Sequence, residues 1–159
     1  MQSITIQYAV DKKLAPAKKL LCLWALQALA NTHCEKEVTI RIVDIAEMTT
    51  LNEQYRRKKG ATNVLSFPAE LPEAAKAHYP VLGDIVICAE VVNREASEQQ
   101  KTTTAHWAHM VVHGVLHLQG HDHEKDDEAA IMETLEINIM QQLGFANPYL
   151  DGEVIKHHD

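Results

Sequence analysis

The most regular stretch of the chain is EVTIRIVD, residues 37–44, where Val38, Ile40 and Ile42 alternate with Thr39, Arg41 and Val43. A period of two puts these sets on opposite faces of a β-strand. Residues 3–8 (SITIQY), 62–67 (TNVLSF, stopped by Pro68) and 83–88 (GDIVIC) predict three more strands. Pro16 suits a helix start, and the apolar-rich segment up to Ala30 predicts the first helix. Residues 46–57 predict a short helix ended by Gly60, residues 69–80 a loop marked by Pro72 and Pro80, and residues 89–100 another helix. The longest helix begins at Thr102 to Thr104, whose hydroxyls are suitable N-caps, and runs to Leu118 or Gln119. Gly120 follows where a helix C-terminus needs a left-handed residue. A last helix, residues 126–143, carries Asp126, Asp127 and Glu128 in its first turn and Met132, Leu135, Ile139 and Leu143 at helical spacing. With no internal repeat and no linker to divide it, residues 1–159 read as a single α/β (α+β) domain of four strands and about five helices.

A chain of 159 residues can bury roughly 70% of its unfolded surface and needs no metal merely to fold. Its 46% apolar and 23% charged residues fit an ordinary soluble globular protein. Cys22, Cys34 and Cys88 are odd in number and widely spaced, which points to buried thiols in a reducing, cytoplasmic setting. The N-terminus lacks a basic region followed by an apolar run, and LLCLWALQALA is too short to span a bilayer and contains Gln27. The tail VIKHHD reads as a mobile end.

A net charge of −7 argues against a phosphate-rich partner until its placement is considered. Residues 122–136 hold seven acids and one lysine, a net of −6, which leaves −1 elsewhere. Arg56, Arg57, Lys58 and Lys59 form a compact basic run. Local placement therefore decides the partner.

The chemistry concentrates in HGVLHLQGHDH, residues 113–123, with four of the ten histidines. His113 and His117 stand one helical turn apart on one face, and the turn at Gly120 can bring His123 to the same ion. Three imidazoles leave a zinc position open, as catalytic sites do. The spacing equals that of the zinc-protease HExxHxxGxxH, but the glutamate's place is taken by Gly114. Amide hydrolysis then lacks its proton shuttle, whereas phosphodiester cleavage needs charge neutralisation that a metal and an arginine can supply. His106 and His109 continue the stripe and read as supporting or packing residues, and His121 is off the ligand register, pointing outward. Ser66 reads as a hydroxyl satisfying backbone.

Three stretches, LNEQYRRKKGATNVLSFP, LGDIVIC and AHWAHMVVHGVLHLQGHDH, resemble the YbeY endoribonucleases in order and spacing, and the acidic helix and GFANPY ending fit as well. The resemblance implies a four-stranded mixed sheet, mostly parallel with one antiparallel strand, surrounded by helices. It implies one Zn2+ per chain on His113, His117 and His123, and places the family's functional arginine on Arg56. A planar, permanently charged guanidinium suits two phosphate oxygens at once. Ala61, Asn63, Arg57 and Lys59 depart from the family's usual YRxKxxPTDVLSFP.

By resemblance the expected activity is zinc-dependent, single-strand-specific endoribonuclease action in 16S rRNA 3′-end maturation, ribosome biogenesis and 70S ribosome quality control. The attacking group is either metal hydroxide or the RNA's 2′-hydroxyl. Expected partners are single-stranded RNA, small-subunit rRNA and the small subunit, with a ribosomal protein or ribosome-associated GTPase, and neither membrane nor DNA. Two rivals remain: a zinc metallopeptidase, with Glu124 or Glu128 as base, and a non-catalytic ribosome-assembly factor with a structural zinc. The acidic segment either keeps RNA on the opposite face or docks a protein.

Overall fold

The computed structural model describes residues 2–30, 32, 35–76, 79–121 and 125–150. The expectations placed on Cys34, His123, Glu124 and the tail fall outside these residues. The alternating segment at residues 37–44 forms β2 (Glu37–Val43), the second strand of a sheet with β1 (Ser3–Tyr8), β3 (Val64–Pro68) and β4 (Val81–Cys88). The strand order is β1-β2-β4-β3; β1–β2 and β2–β4 are parallel, and β3 lies antiparallel on the edge beside β4. The mixed sheet is therefore mostly parallel with one antiparallel strand, as the resemblance implies.

The side-chain alternation sorts the sheet into two unequal faces. Val38, Ile40, Ile42, Ile85 and Ile87 are buried together with Trp24 and Leu21 of α1 (Lys18–Ala28) and Trp107, Val111 and Val115 of α5 (Thr103–Leu118). Burying such side chains contributes about 1.5–3 kcal/mol each. The opposite face carries a smaller cluster, in which Val43, Leu65, Val86 and Cys88 pack with Met48 of α2 (Ile45–Leu51) and Val91 of α4 (Ala89–Glu98). α6 (Asp126–Gln142) packs on the larger core through Met132, Ile139 and Met140. Among the described residues five α-helices exceed one turn; α3 (Glu73–Lys76) is a single turn inside the expected loop of residues 69–80.

Other boundaries shift for local reasons. A 3-10 turn, Lys12–Leu14, precedes α1, with the Asp11 carboxylate accepting from the Lys13 amide, and the helix starts two residues after Pro16. The helix expected over residues 46–57 divides: Asp44 caps α2 by accepting from the Glu47 amide, and the chain then widens into a π turn, Asn52–Arg56. Arg57 ends that turn in the left-handed region at φ 55°. Cys88 is buried but Cys22 is only half-buried. Among the described residues no helix is long and apolar enough to cross a membrane.

Candidate functional site

α5 is the scaffold of the site. Its start is fixed by Thr102, whose hydroxyl accepts from the Ala105 amide at 3.1 Å. Its end closes in a Schellman pair: Gly120, at φ 97°, donates to the His117 carbonyl and His121 donates to the Leu116 carbonyl. The stop after Leu118 sets which turn of the helix faces the opening, and that turn carries His113 and His117. Their rings stand 4.6 Å apart, centroid to centroid, with Nε2 to Nε2 at 3.0 Å.

Gly114 is an approach point between helix and sheet. A Cβ there would lie 2.9 Å from Ile85 Cγ2 and 3.1 Å from Ile85 Cδ1. The position occupied by a glutamate in zinc proteases is thus pressed onto β4, with no room for a carboxylate side chain. The Ser66 hydroxyl donates to the Gly114 carbonyl at 3.1 Å, tying the edge strand to α5 and filling the backbone-satisfying part expected of it.

This tie makes β3 one wall of a cleft of about 720 Å³, lined on the other side by His113 and His117. Arg56, the last residue of the π turn, closes its rim. The turn is held by buried Asn52, whose side-chain amide donates to the Gly60 carbonyl at 2.9 Å, and by Tyr55, which meets Phe67 edge-on at 5.3 Å. Of the four predicted site residues, Arg56, His113 and His117 come together in this cleft. His121, expected to point outward, is half-buried and lines it too. No carboxylate lines the cleft among the described residues, and Glu128 is exposed outside it.

Behind the cleft lies a network that sequence reading missed. Glu136, on α6, is only 1% exposed. One of its oxygens accepts from His109 Nε2 at 2.7 Å and from His113 Nδ1 at 2.9 Å; the other accepts from the Tyr149 hydroxyl. Burial alone would raise its pKa, but the hydrogen bonds from the two histidines and Tyr149 outweigh it and hold the carboxyl at about 2. Burial pushes His109 below the ordinary imidazole range, against the hydrogen bond to Glu136, which raises it. Burial and the adjacent carboxylate push the Tyr149 hydroxyl up. A parallel arrangement joins His106 Nε2 to Glu95 at 2.9 Å, and Glu95 in turn accepts from Asn63 at the cleft wall at 3.0 Å. Desolvation opposes the Glu95 charge, yet these bonds keep its carboxyl below the usual range. His106 and His109 are thus buried behind the cleft, each bonded to a carboxylate. The signal available for Glu136 was its place in register with Met132, Ile139 and Met140, a charge on an apolar face.

His109, His113 and Glu136 offer ligand atoms within 4.8 Å of one another, a cluster that could hold a metal ion. His113 also belongs to a second arrangement. With Nδ1–H given to Glu136, its Nε2 lone pair faces His117 Nε2, and two ring nitrogens on one tetrahedral zinc would lie about 3.3 Å apart, close to the 3.0 Å observed. The donor set, imidazole with a carboxylate behind it, fits a divalent metal ion.

Fold and site together define a mixed α/β protein with a histidine–carboxylate cluster fit for a metal, beside a cleft rimmed by arginine and without an acid among its described lining residues. The family model for Endoribonuclease YbeY matches residues 5–144. An Endoribonuclease YbeY of Nitrosococcus oceani is 50% identical over 147 residues, 92% of this chain and 96% of the relative. Another, of Alcanivorax borkumensis, is 53% identical over 150 residues, 92% of this chain and 86% of the relative. The solution structure of a Thermotoga maritima protein shares the fold, with a TM-score of 0.57 at 23% identity over 94% of this chain and 99% of that one. The chain belongs to the YbeY endoribonuclease family, whose members are RNA-cleaving hydrolases.

Proposed function

We propose that the protein is a zinc-dependent endoribonuclease specific for single-stranded RNA, with His113, His117 and His123 as the metal ligands and Arg56 as the residue that grips the scissile phosphate. The observation that carries this reading is the meeting of Arg56 with His113 and His117 in one cleft. Bound zinc supplies Lewis acidity toward phosphate oxygens and a more acidic water. Arg56 orients and partly neutralises the phosphate, which no carboxylate among the described lining residues repels. Gly114 leaves α5 without a base at the protease position, so the site favours a reaction whose main demand is charge neutralisation. Within the cell the substrate is the 3′ end of 16S rRNA, in ribosome maturation and 70S quality control, in the cytoplasm, with a ribosomal protein or ribosome-associated GTPase as companion. Membership of an endoribonuclease family supports this reading.

The test combines metal content with cleavage of a single-stranded RNA. The protein is expected to hold about one zinc per chain, and His113→Ala and Arg56→Glu to lose cleavage, the first with its zinc and the second while keeping it. Equal cleavage by wild type and His113→Ala would remove the metal mechanism. In cells, His117→Ala is expected to leave extended small-subunit rRNA 3′ ends, read by end-mapping. Casein turnover sensitive to chelation would restore the peptidase rival; a zinc-stabilised protein that binds ribosomes and leaves RNA uncut would favour the assembly factor.

A further inference from the structure

We propose that Glu136 and Tyr149 are positioning residues for the metal: the C-terminal turn that carries Tyr149 holds the Glu136 carboxylate, and Glu136 holds the His113 ring with Nε2 turned to the cleft. The inference rests on the reading of His113 as a metal ligand.

Glu136 is the sole buried carboxylate among the described residues. Its helical neighbours on that face, Met132, Ile139 and Met140, are apolar. An apolar side chain would serve packing there as well or better, since a buried charge costs several kcal/mol of desolvation. Every contact of Glu136 points along one line instead. His113 Nδ1 and His109 Nε2 share one oxygen at 2.9 and 2.7 Å, and the Tyr149 hydroxyl takes the other.

An imidazole that gives Nδ1–H to a carboxylate has one tautomer, with its lone pair on Nε2, and its ring cannot flip without losing that bond. In this structure that Nε2 is the atom 3.0 Å from His117 Nε2. His109 completes the cradle: its Nε2 bonds Glu136, and its ring stands edge-on to Tyr149 at 5.3 Å and to His113 at 6.1 Å. The Tyr149 hydroxyl stops the carboxylate from rotating away. Tyr149 is itself fixed by the turn, where its amide donates to the Asn147 side chain at 2.9 Å and Lys101 donates to the Pro148 carbonyl at 2.6 Å. Loss of the turn would therefore reach the metal through one hydrogen-bonded chain.

Glu136 is not read as a ligand itself. Neither it nor His109 is among the described residues that line the cleft with Arg56, His113 and His117.

The test is zinc affinity of the full chain, measured by competition with a chromogenic chelator, together with the apo-protein melting temperature and 15N-histidine NMR of the zinc-loaded protein. Glu136→Gln is expected to weaken zinc about 10- to 100-fold. Tyr149→Phe, which keeps the ring against His109, is expected to weaken it several-fold at an unchanged melting temperature, and Glu136→Asp to recover part of the loss. In the wild type His113 is expected to bind through Nε2 with Nδ1 protonated. Coordination through Nδ1, or zinc affinity unchanged in both Glu136→Gln and Tyr149→Phe, would overturn the proposal. So would abolition of binding by His109→Gln, which would make His109 a ligand. If Glu136→Gln does not fold, Tyr149→Phe alone decides. Tight zinc binding by His113→Ala would instead sink the ligand reading on which the inference rests.

Discussion

Two clefts of about 720 Å³ each flank the edge strand β3 and share Tyr55, Phe67 and Pro68 as a common ridge. One contains Arg56, His113 and His117, with no acid among its described lining residues. The other, on the opposite face of the sheet, contains Glu47, Glu70 and Asp84, and its arginine, Arg41, is held by Glu47 through bonds of 2.7 and 3.0 Å. Size does not separate them. The sign and freedom of the charges do: one cleft offers a polyanion a cation and imidazoles, while the other meets it with carboxylates and a cation paired to one of them. A protein of net charge −7 can thus be suited to RNA at one site, because attraction depends on the groups within a Debye length rather than on the total.

The largest expected difference between the two is in catalysis. His117→Ala should abolish zinc-dependent RNA cleavage, whereas Arg41→Ala in the acidic cleft should leave the rate within about twofold and stability within ~1 kcal/mol, as for an exposed ion pair. Comparable activity losses in both variants would erase the distinction. Next is the wall behind the histidine cleft: Gly114→Ala forces a methyl against Ile85 and should cost about 1–3 kcal/mol in denaturant unfolding. Ile85→Val should return part of that cost, and an unchanged midpoint would mean that α5 does not need its close seat on the sheet.

A smaller effect is expected in RNA binding. Arg56→Gln should reduce the slope of log affinity against log salt by about one, the share of a single phosphate contact, and Arg41→Gln should leave the slope unchanged. The smallest is an acid effect on the metal-free protein. Folding lowers the Glu136 pKa from 4.5 to about 2, so its anion contributes stability that is complete above about pH 4.5 and is lost as pH falls through 2. The stability gap between wild type and Glu136→Gln should accordingly shrink between those values; a gap that widens toward low pH would mean that the carboxyl is neutral in the folded protein.

Much of this architecture was legible along the chain. The four strands, the cap at Thr102 and the stop at Gly120 all depend on residues within a few positions of one another, where periodicity of two or 3.6 and local hydrogen bonding act. The adjacency of His113 and His117 follows from a single helical turn. The same locality explains what was missed. The π turn under Arg56 depends on Asn52 reaching Gly60. His121 lines the cleft because the Schellman turn folds back toward β3. Glu136 looked like one more acid of residues 122–136, a segment read as a charged face, yet it is turned into the core.

By itself the sequence determined the four strands and the longer helices, the pair of imidazoles on one helical face and the vacancy at Gly114 where a protease carries its base. Only the tertiary structure decided that Gly114 is filled by Ile85, that Arg56 reaches the histidines, and that Glu136 and Tyr149 stand behind His113. These contacts join elements far apart in the chain. They follow from how the buried faces of α5, α6 and the sheet dock on one another, which no local period encodes.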